Sequence, residues 1–335
     1  MARNGRANER QARANEPKGH HTVPRFLLER FADSNGVIDL LDRETFKLRA
    51  TTGVRGVLKI NHFYRVETED GPSTIVEKFF ANDVERHAAE AIRRIVDQQR
   101  ALSFPRPRTY ISRFLATQFL RGTSMREALR QQYIHLSRKS FELTTPEMIM
   151  SVMEAQGDSI GKVEAEDLAR WARNPKNYQI QVDRLHNEHA RLILEQSWEF
   201  VPYFRERSWQ LLTFEEPTLV TGDEPIALVG ETLIPGDSVG LGNAPAIVFP
   251  TDPRHALVLA RRDVDMGEKR RKGTPAMARI INEHIAFACH RSIIRHPCTD
   301  PLNGITLPRK APPVTTHGKI LAFHPCRREF AQRLL

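Results

Sequence analysis

Six side chains in this 335-residue sequence combine reactive types with local patterns that would hold them in place: His21, Glu77, Gln118, Arg121, Asp223 and Asn282. A histidine can take or give a proton near neutral pH, and an arginine can hold an anion. Carboxylates can serve as bases or as ligands of a hard divalent cation, for which Glu77, Glu85 and Asp223 form the candidate set. Such a set suits phosphoester cleavage. The reading is a nuclease-like hydrolase acting on nucleic acid, with a divalent metal as the cofactor considered. A second reading, from another class, is a non-catalytic module that binds nucleic acid or protein and keeps its polar cluster as a structural network.

The elements that must position these residues follow from periodicity. Pro24 biases Val23 toward extended backbone and starts a short helix carrying Phe26, Leu27 and Phe31, so His21 sits just ahead of a helix N-terminus. Spacing predicts a long amphipathic helix from about Ile75 to Gln99, with Val76, Phe80, Val84, Ala88, Ala91, Ile92 and Ile95 on one arc. At 100° per residue, Glu77 falls near the middle of that arc and Glu85 toward its edge. The next helix, from about Thr109 to Ile134, places Gln118 at the centre of its apolar arc and Arg121 within it. A carboxylate facing a core is costly unless paired, so the expectation is a buried Glu77–Arg121 pair with Gln118 and His21 beside it.

Between Gly36 and Val66 the pattern is of short strands and turns: Val37 to Leu41, Arg49 to Thr52 and Phe63 to Val66. Helices are expected over Pro146 to Gln156, Val163 to Arg173 and Val182 to about Phe204. The last carries His186 and His189 on one face, read as a solvated pair. Strands are expected at Trp209 to Phe214, Thr218 to Thr221, Ala246 to Phe249 and Ala256 to Ala260. Thr221-Gly222-Asp223-Glu224-Pro225 puts two acids at a strand exit, where function or an Asx-type turn can account for Asp223. Thr274-Pro275 opens a helix to about Ile294 that carries Asn282, and the basic run Lys269 to Lys272 before it reads as a solvated loop. His296-Pro297-Cys298 and His324-Pro325-Cys326 offer four ligand types for zinc in a spacing outside the usual finger patterns.

The fold class is therefore α+β: a mostly helical body with a small N-terminal antiparallel sheet and a C-terminal strand group. The expected organisation is a disordered basic tail over 1–19, one domain over 20–295 and a Pro-rich extension over 296–335. The net charge of +9 favours acidic partners, nucleic acid first. Three of those charges come from the first nineteen residues, five basic against two acidic. Three cysteines suit a reducing cytoplasm, and neither a membrane span nor the apolar core of a secretory signal is apparent. No Walker A loop, GxGxxG, GxSxG or internal repeat is present.

The block His21-x-Val23-Pro24-x-x-x-Leu28-x-x-Phe31 resembles the N-terminal signature of the bacterial domain of unknown function 4238 family. Asn61-His62-Phe63-Tyr64, the Glu77 to Glu85 helix, Gln118-x-x-Arg121, Phe249-Pro250-Thr251-Asp252 and Asn282 follow in the order that the resemblance implies, over about His20 to Ile294. One block departs, since the family's Thr-Ser-Asp-Asn-Pro stands here as Thr221-Gly222-Asp223-Glu224-Pro225. The resemblance strengthens these positions as a site and implies no particular activity.

Overall fold

The structure is a computed structural model and describes residues 19–61, 63–64, 66–68, 71–73, 75–182, 185–230, 239–263 and 267–307. The expected N-terminal tail and the His324 and Cys326 half of the zinc reading lie outside those residues. By its internal contacts the chain divides into two compact units. One comprises residues up to 126 together with 184–310, and the other is built on 127–183.

The first unit opens with β1 (Gly19–His21) and α1 (Arg25–Phe31), then β2 (Val37–Asp42), β3 (Leu48–Gly53), β4 (Lys59–Asn61), β5 (Val66–Thr68) and β6 (Gly71–Ser73). The expected strand at Phe63 to Val66 is replaced by two short ladders, β1 with β4 and β5 with β6. A helical rod follows, in which α2 (Ile75–Lys78) and α3 (Arg86–Ile92) alternate with π-helical turns at Phe79–Glu85 and Arg93–Asp97. It packs on α4 (Pro105–Arg121), whose Pro105 fills the first-turn position where a missing N–H costs nothing. The expected helix through Ile134 is broken at Gly122, and α5 (Thr123–Glu142) starts afresh beyond it.

In the second unit, α6 (Pro146–Ala155) begins at a Thr145 cap whose hydroxyl accepts from the Met148 amide, and α7 (Lys162–Arg173) packs beside it through Ala165 and Ala169. Phe141 meets Tyr178 edge to face at 4.8 Å, and Arg173 donates to the Thr144 carbonyl.

Returning to the first unit, α8 (Leu185–Arg205) leads into β7 (Ser208–Thr213), β8 (Thr221–Gly222), β9 (Ala227–Val229), β10 (Ala246–Asp252), β11 (His255–Ala260), β12 (Lys269–Lys272), α9 (Pro275–Ala288) and β13 (Ser292–Arg295). A five-stranded sheet has the order β12-β7-β11-β10-β9, antiparallel except for β12 against β7. The Lys269 to Lys272 run is thus an edge strand rather than a loop. A four-stranded sheet, β3-β2-β13-β8, joins the N-terminal hairpin to the C-terminal strands, with Arg295 opposite Asp39 and bonded to it at 3.2 Å. The apolar side of α9 (Ala278, Ile281, Ile285) fills the core with Leu212, Val248 and Ile293.

The helix expected to reach Ile294 ends at Ala288 for a physical reason. Asp223 accepts the amides of His290, Arg291 and Ser292 at 2.7–3.0 Å, so those N–H groups are taken from the helical ladder and the chain turns into β13. Gly222 must come close for this to happen: an added Cβ would overlap the Cys289 sulfur and the Ser292 carbonyl oxygen. Gly222→Ala is expected to lower stability by about 2 kcal/mol or more through overpacking against backbone. Gly56→Ala, which meets nothing within 4 Å, should stay within about 0.5 kcal/mol. Urea unfolding midpoints of the two variants check this.

Candidate functional site

The inward-facing charges expected on the rod and α4 each find a partner, though not the expected one. Arg121 is almost wholly buried, donating through Nε to Gln118 Oε1 and through Nη1 to Glu85 Oε1, both at 2.7 Å. Its guanidinium also lies over the Phe80 ring, 4.8 Å from the centroid. Gln118 spends its amide on the Thr22 carbonyl, tying the entry to α1 to the same network. The expected Glu77–Arg121 pair is not formed. The π-helical turn between Phe79 and Glu85 inserts extra residues per turn, so a 100° wheel misjudges which carboxylate comes round to Arg121.

Glu77 instead pairs with His20, accepting from Nε2 at 2.8 Å. The other ring nitrogen of His20 accepts the Tyr64 amide at 2.7 Å, which fixes the proton on Nε2. His20, rather than His21, is the buried histidine here, because neighbouring strand residues point to opposite faces. His21 is half-buried and donates through Nδ1 to the Val57 carbonyl. Burial, then the Lys59 charge, lowers its pKa against the opposing pull of Val57 and Glu85.

Of His186 and His189, read from sequence as a solvated pair, His186 is partly exposed and His189 is buried. His189 has no exposed surface, contacts the Leu120 carbonyl through Nε2 at 2.8 Å and accepts Arg126 Nε on Nδ1 at 3.0 Å. Burial and the adjacent Arg126 push it down to about 3, while burial lowers Arg126 to about 10.

Asp223 and Asn282 stand apart from Arg121's partners. Asn282 accepts the Val220 amide and donates to the Thr218 and Pro301 carbonyls, while Asp223 holds 290–292 as described. Glu224, beside Asp223, accepts the Ser124 amide and the Thr123 hydroxyl and so caps the start of α5. Among the described residues no three His, Cys, Asp or Glu side chains gather in a set that could hold a metal ion. Glu77, Glu85 and Asp223 each engage the separate partners named above.

An open cleft of about 550 Å³ lies elsewhere in the first unit, lined by Arg30, Asp97, Asp252, Arg254, His255 and His296 with two prolines. Asp252 and His255 flank the tight turn between β10 and β11. Asp252 accepts His255 Nδ1 at 2.9 Å, the Arg254 amide at 2.8 Å and Arg30 Nη2 at 2.9 Å. Burial pulls the Asp252 carboxyl upward, but the bonds and charges of His255, Arg30 and the Arg254 amide outweigh it and hold it below the usual range. In the neutral ring of His255 the proton therefore sits on Nδ1 and the lone pair on Nε2. His296 accepts the Cys298 amide on Nδ1 at 3.3 Å, so its proton sits on Nε2. One cleft thus holds an acceptor imidazole and a donor imidazole. Sequence reading noted Asp252 only as part of a block and His296 only as a zinc candidate. The missed signal was Asp252-x-x-His255 across a Pro-containing turn.

The class is an α+β protein with two polar centres, one closed and one open. The chain belongs to the family described as Protein of unknown function (DUF4238), which matches residues 19–299. No curated protein and no solved structure matches it.

Two outcomes follow for the closed centre. Arg121→Met would strand Glu85 and Gln118 and should cost about 3 kcal/mol or more in chemical unfolding. For His189 the folded pKa, about 3, lies below the ordinary 6.5, so the unfolded chain binds the extra proton between those values. Stability is then intact above pH 6.5 and falls with acid at about 1.4 kcal/mol per pH unit toward pH 3. His189→Gln, which supplies a donor and an acceptor without titrating, should flatten the slope measured between pH 6.5 and 4.5.

Proposed function

We propose that the protein is a nuclease-like phosphoester-cleaving enzyme whose acid–base chemistry resides in the cleft of His255 and His296. The observation that carries this reading is the opposite hydrogen-bond role of Nδ1 in the two imidazoles, donor to Asp252 in His255 and acceptor of the Cys298 amide in His296. His255 Nε2 takes the proton of the attacking hydroxyl as its oxygen bonds to phosphorus. The bond from phosphorus to the leaving oxygen breaks, and His296 Nε2–H delivers a proton to that oxygen. Asp252 keeps His255 in the required tautomer and stabilises the imidazolium that results. Arg254, paired only loosely with Glu216 at 3.6 Å, supplies charge for the phosphoryl oxygens. Arg30 is held by Asp97 and Asp252 and acts as a buttress for the dyad.

The network of His21, Glu77, Gln118 and Arg121 serves in this reading as the frame, since Arg121 Nε and Nη1, the Gln118 amide and the Glu77 carboxylate are each bonded within the protein. A reducing cytoplasm is the expected compartment, in keeping with Cys289 and Cys298, which form no disulfide among the described residues. Among the described residues no helix is long and apolar enough to cross a membrane.

The test is cleavage of end-labelled single- and double-stranded RNA and DNA, with magnesium, manganese or chelator, by wild type, His255→Asn, His296→Asn and Asp252→Asn. Loss of about 10²-fold or more in both histidine variants, with unchanged melting, is the expected result. Wild-type activity surviving in His255→Asn would sink the assignment. A salt-dependent mobility shift with no cleavage by any form would favour the binding-module reading instead.

A further inference from the structure

The exposed edge of the five-stranded sheet is basic throughout. β12 runs Lys269-Arg270-Arg271-Lys272 at the end of the sheet and, among the described residues, is paired on one side only, with β7. Charged edge strands commonly serve to block edge-to-edge pairing. Two observations go further than that. The first is register. Lys272 stands opposite Thr213, and Thr213 stands opposite His255, so the edge and the cleft histidine lie in one row, two strand spacings or about 10 Å apart. The second is attachment. Arg270 donates to the carbonyls of Ile95 and Arg100, fastening the strand to the segment that contains Asp97 of the cleft wall.

The charges on this edge are also largely uncompensated. Lys269 and Arg271 are exposed, and neither meets a carboxylate among the described residues. Lys272 contacts Glu215, but both side chains are about three-quarters exposed, so the pair holds little energy. Arg270 is satisfied by carbonyls, which bond its N–H groups without cancelling its charge.

We infer that β12 is a docking track for the phosphodiester backbone of a single-stranded nucleic acid, leading one phosphate of the strand into the His255 cleft. The inference rests on the proposed cleft chemistry for where the strand leads, and on the edge itself for what it binds. It sets the substrate class as a polymer rather than a small phosphomonoester, because a phosphate in the cleft alone would leave the row of cations beyond it unused. An extended, flexible strand can follow a sheet edge and bend into a neighbouring cleft, with cations tracking its backbone.

The experiment is fluorescence anisotropy of a labelled single-stranded 20-nucleotide RNA, titrated at several salt concentrations with the full chain. Four proteins are compared: His255→Asn, the same chain with Lys269→Gln and Arg271→Gln, the same chain with Lys269→Arg and Arg271→Lys, and wild type in a parallel cleavage assay. The expected result is tenfold or greater weakening on charge removal. The slope of log K against log salt should also shrink by about 1.4, near 0.7 for each lost phosphate contact. The charge-preserving variant should bind as its parent does. Unchanged affinity and slope on charge removal would overturn the track. So would binding only to phosphatidylserine-containing vesicles, with no oligonucleotide bound. If wild type cleaves nothing while charge removal still weakens binding, the track stands and the cleft chemistry falls. If wild type cleaves and charge removal changes nothing, the reverse holds.

Discussion

A buried guanidinium is the constraint on which the N-terminal half of the first unit depends. Arg121 cannot be desolvated alone, so the fold must bring Glu85 to it from the π-turned rod and Gln118 from its own helix. Gln118 then reaches Thr22, and the Tyr64 hydroxyl donates to the Arg121 carbonyl. Three segments far apart in sequence are thus held in register by one charge. The His20–Glu77 and Arg126–His189 pairs extend the same logic on either side, each ring nitrogen of the two histidines having a stated task. Such a network favours a single arrangement, because most rearrangements would leave a buried polar group without a partner.

The C-terminal half depends on a different device. Asp223 captures three successive amides beyond α9, and Asn282 on α9 fastens the segment from Thr218 to Val220. Together they decide where the helix ends and where β13 begins. With β13 placed, the N-terminal hairpin gains its third strand, and the two ends of the matched region become neighbours. Acids at a strand exit therefore act here on backbone, which a sequence pattern alone leaves open between turn, cap and catalysis.

The closed network and the open cleft differ in what remains available to a ligand. In the network, Arg121 Nε and Nη1, Gln118, Glu85, Glu77 and His20 are turned on one another or on backbone. In the cleft, the Asp252 carboxylate is engaged by His255, Arg30 and the Arg254 amide, while Nε2 of His255 and Nε2 of His296, which line the same cleft, make none of these bonds. In the proposed chemistry, the Asp252 bonds fix His255 from behind and the cleft leaves room for a substrate in front.

Much of the element content was legible in the sequence. Phe80, Val84, Ala88 and Ile92 recur at helical spacing, and Pro146 and Pro275 each open a helix, because helical period and proline geometry depend only on near neighbours. That Gln118 and Arg121 face inward was legible for the same reason. What the tertiary structure alone decided was partnership. The π-helical turn gave Arg121 to Glu85 and left Glu77 to His20. The amides beyond Ala288 went to Asp223, 67 to 69 residues away. The cleft drew Arg30, Asp97, Asp252, His255 and His296 from four separate segments. Local pattern states which side chains must find a partner. Only the packed chain, where charges compete for the same few buried positions, determines which partner each one finds.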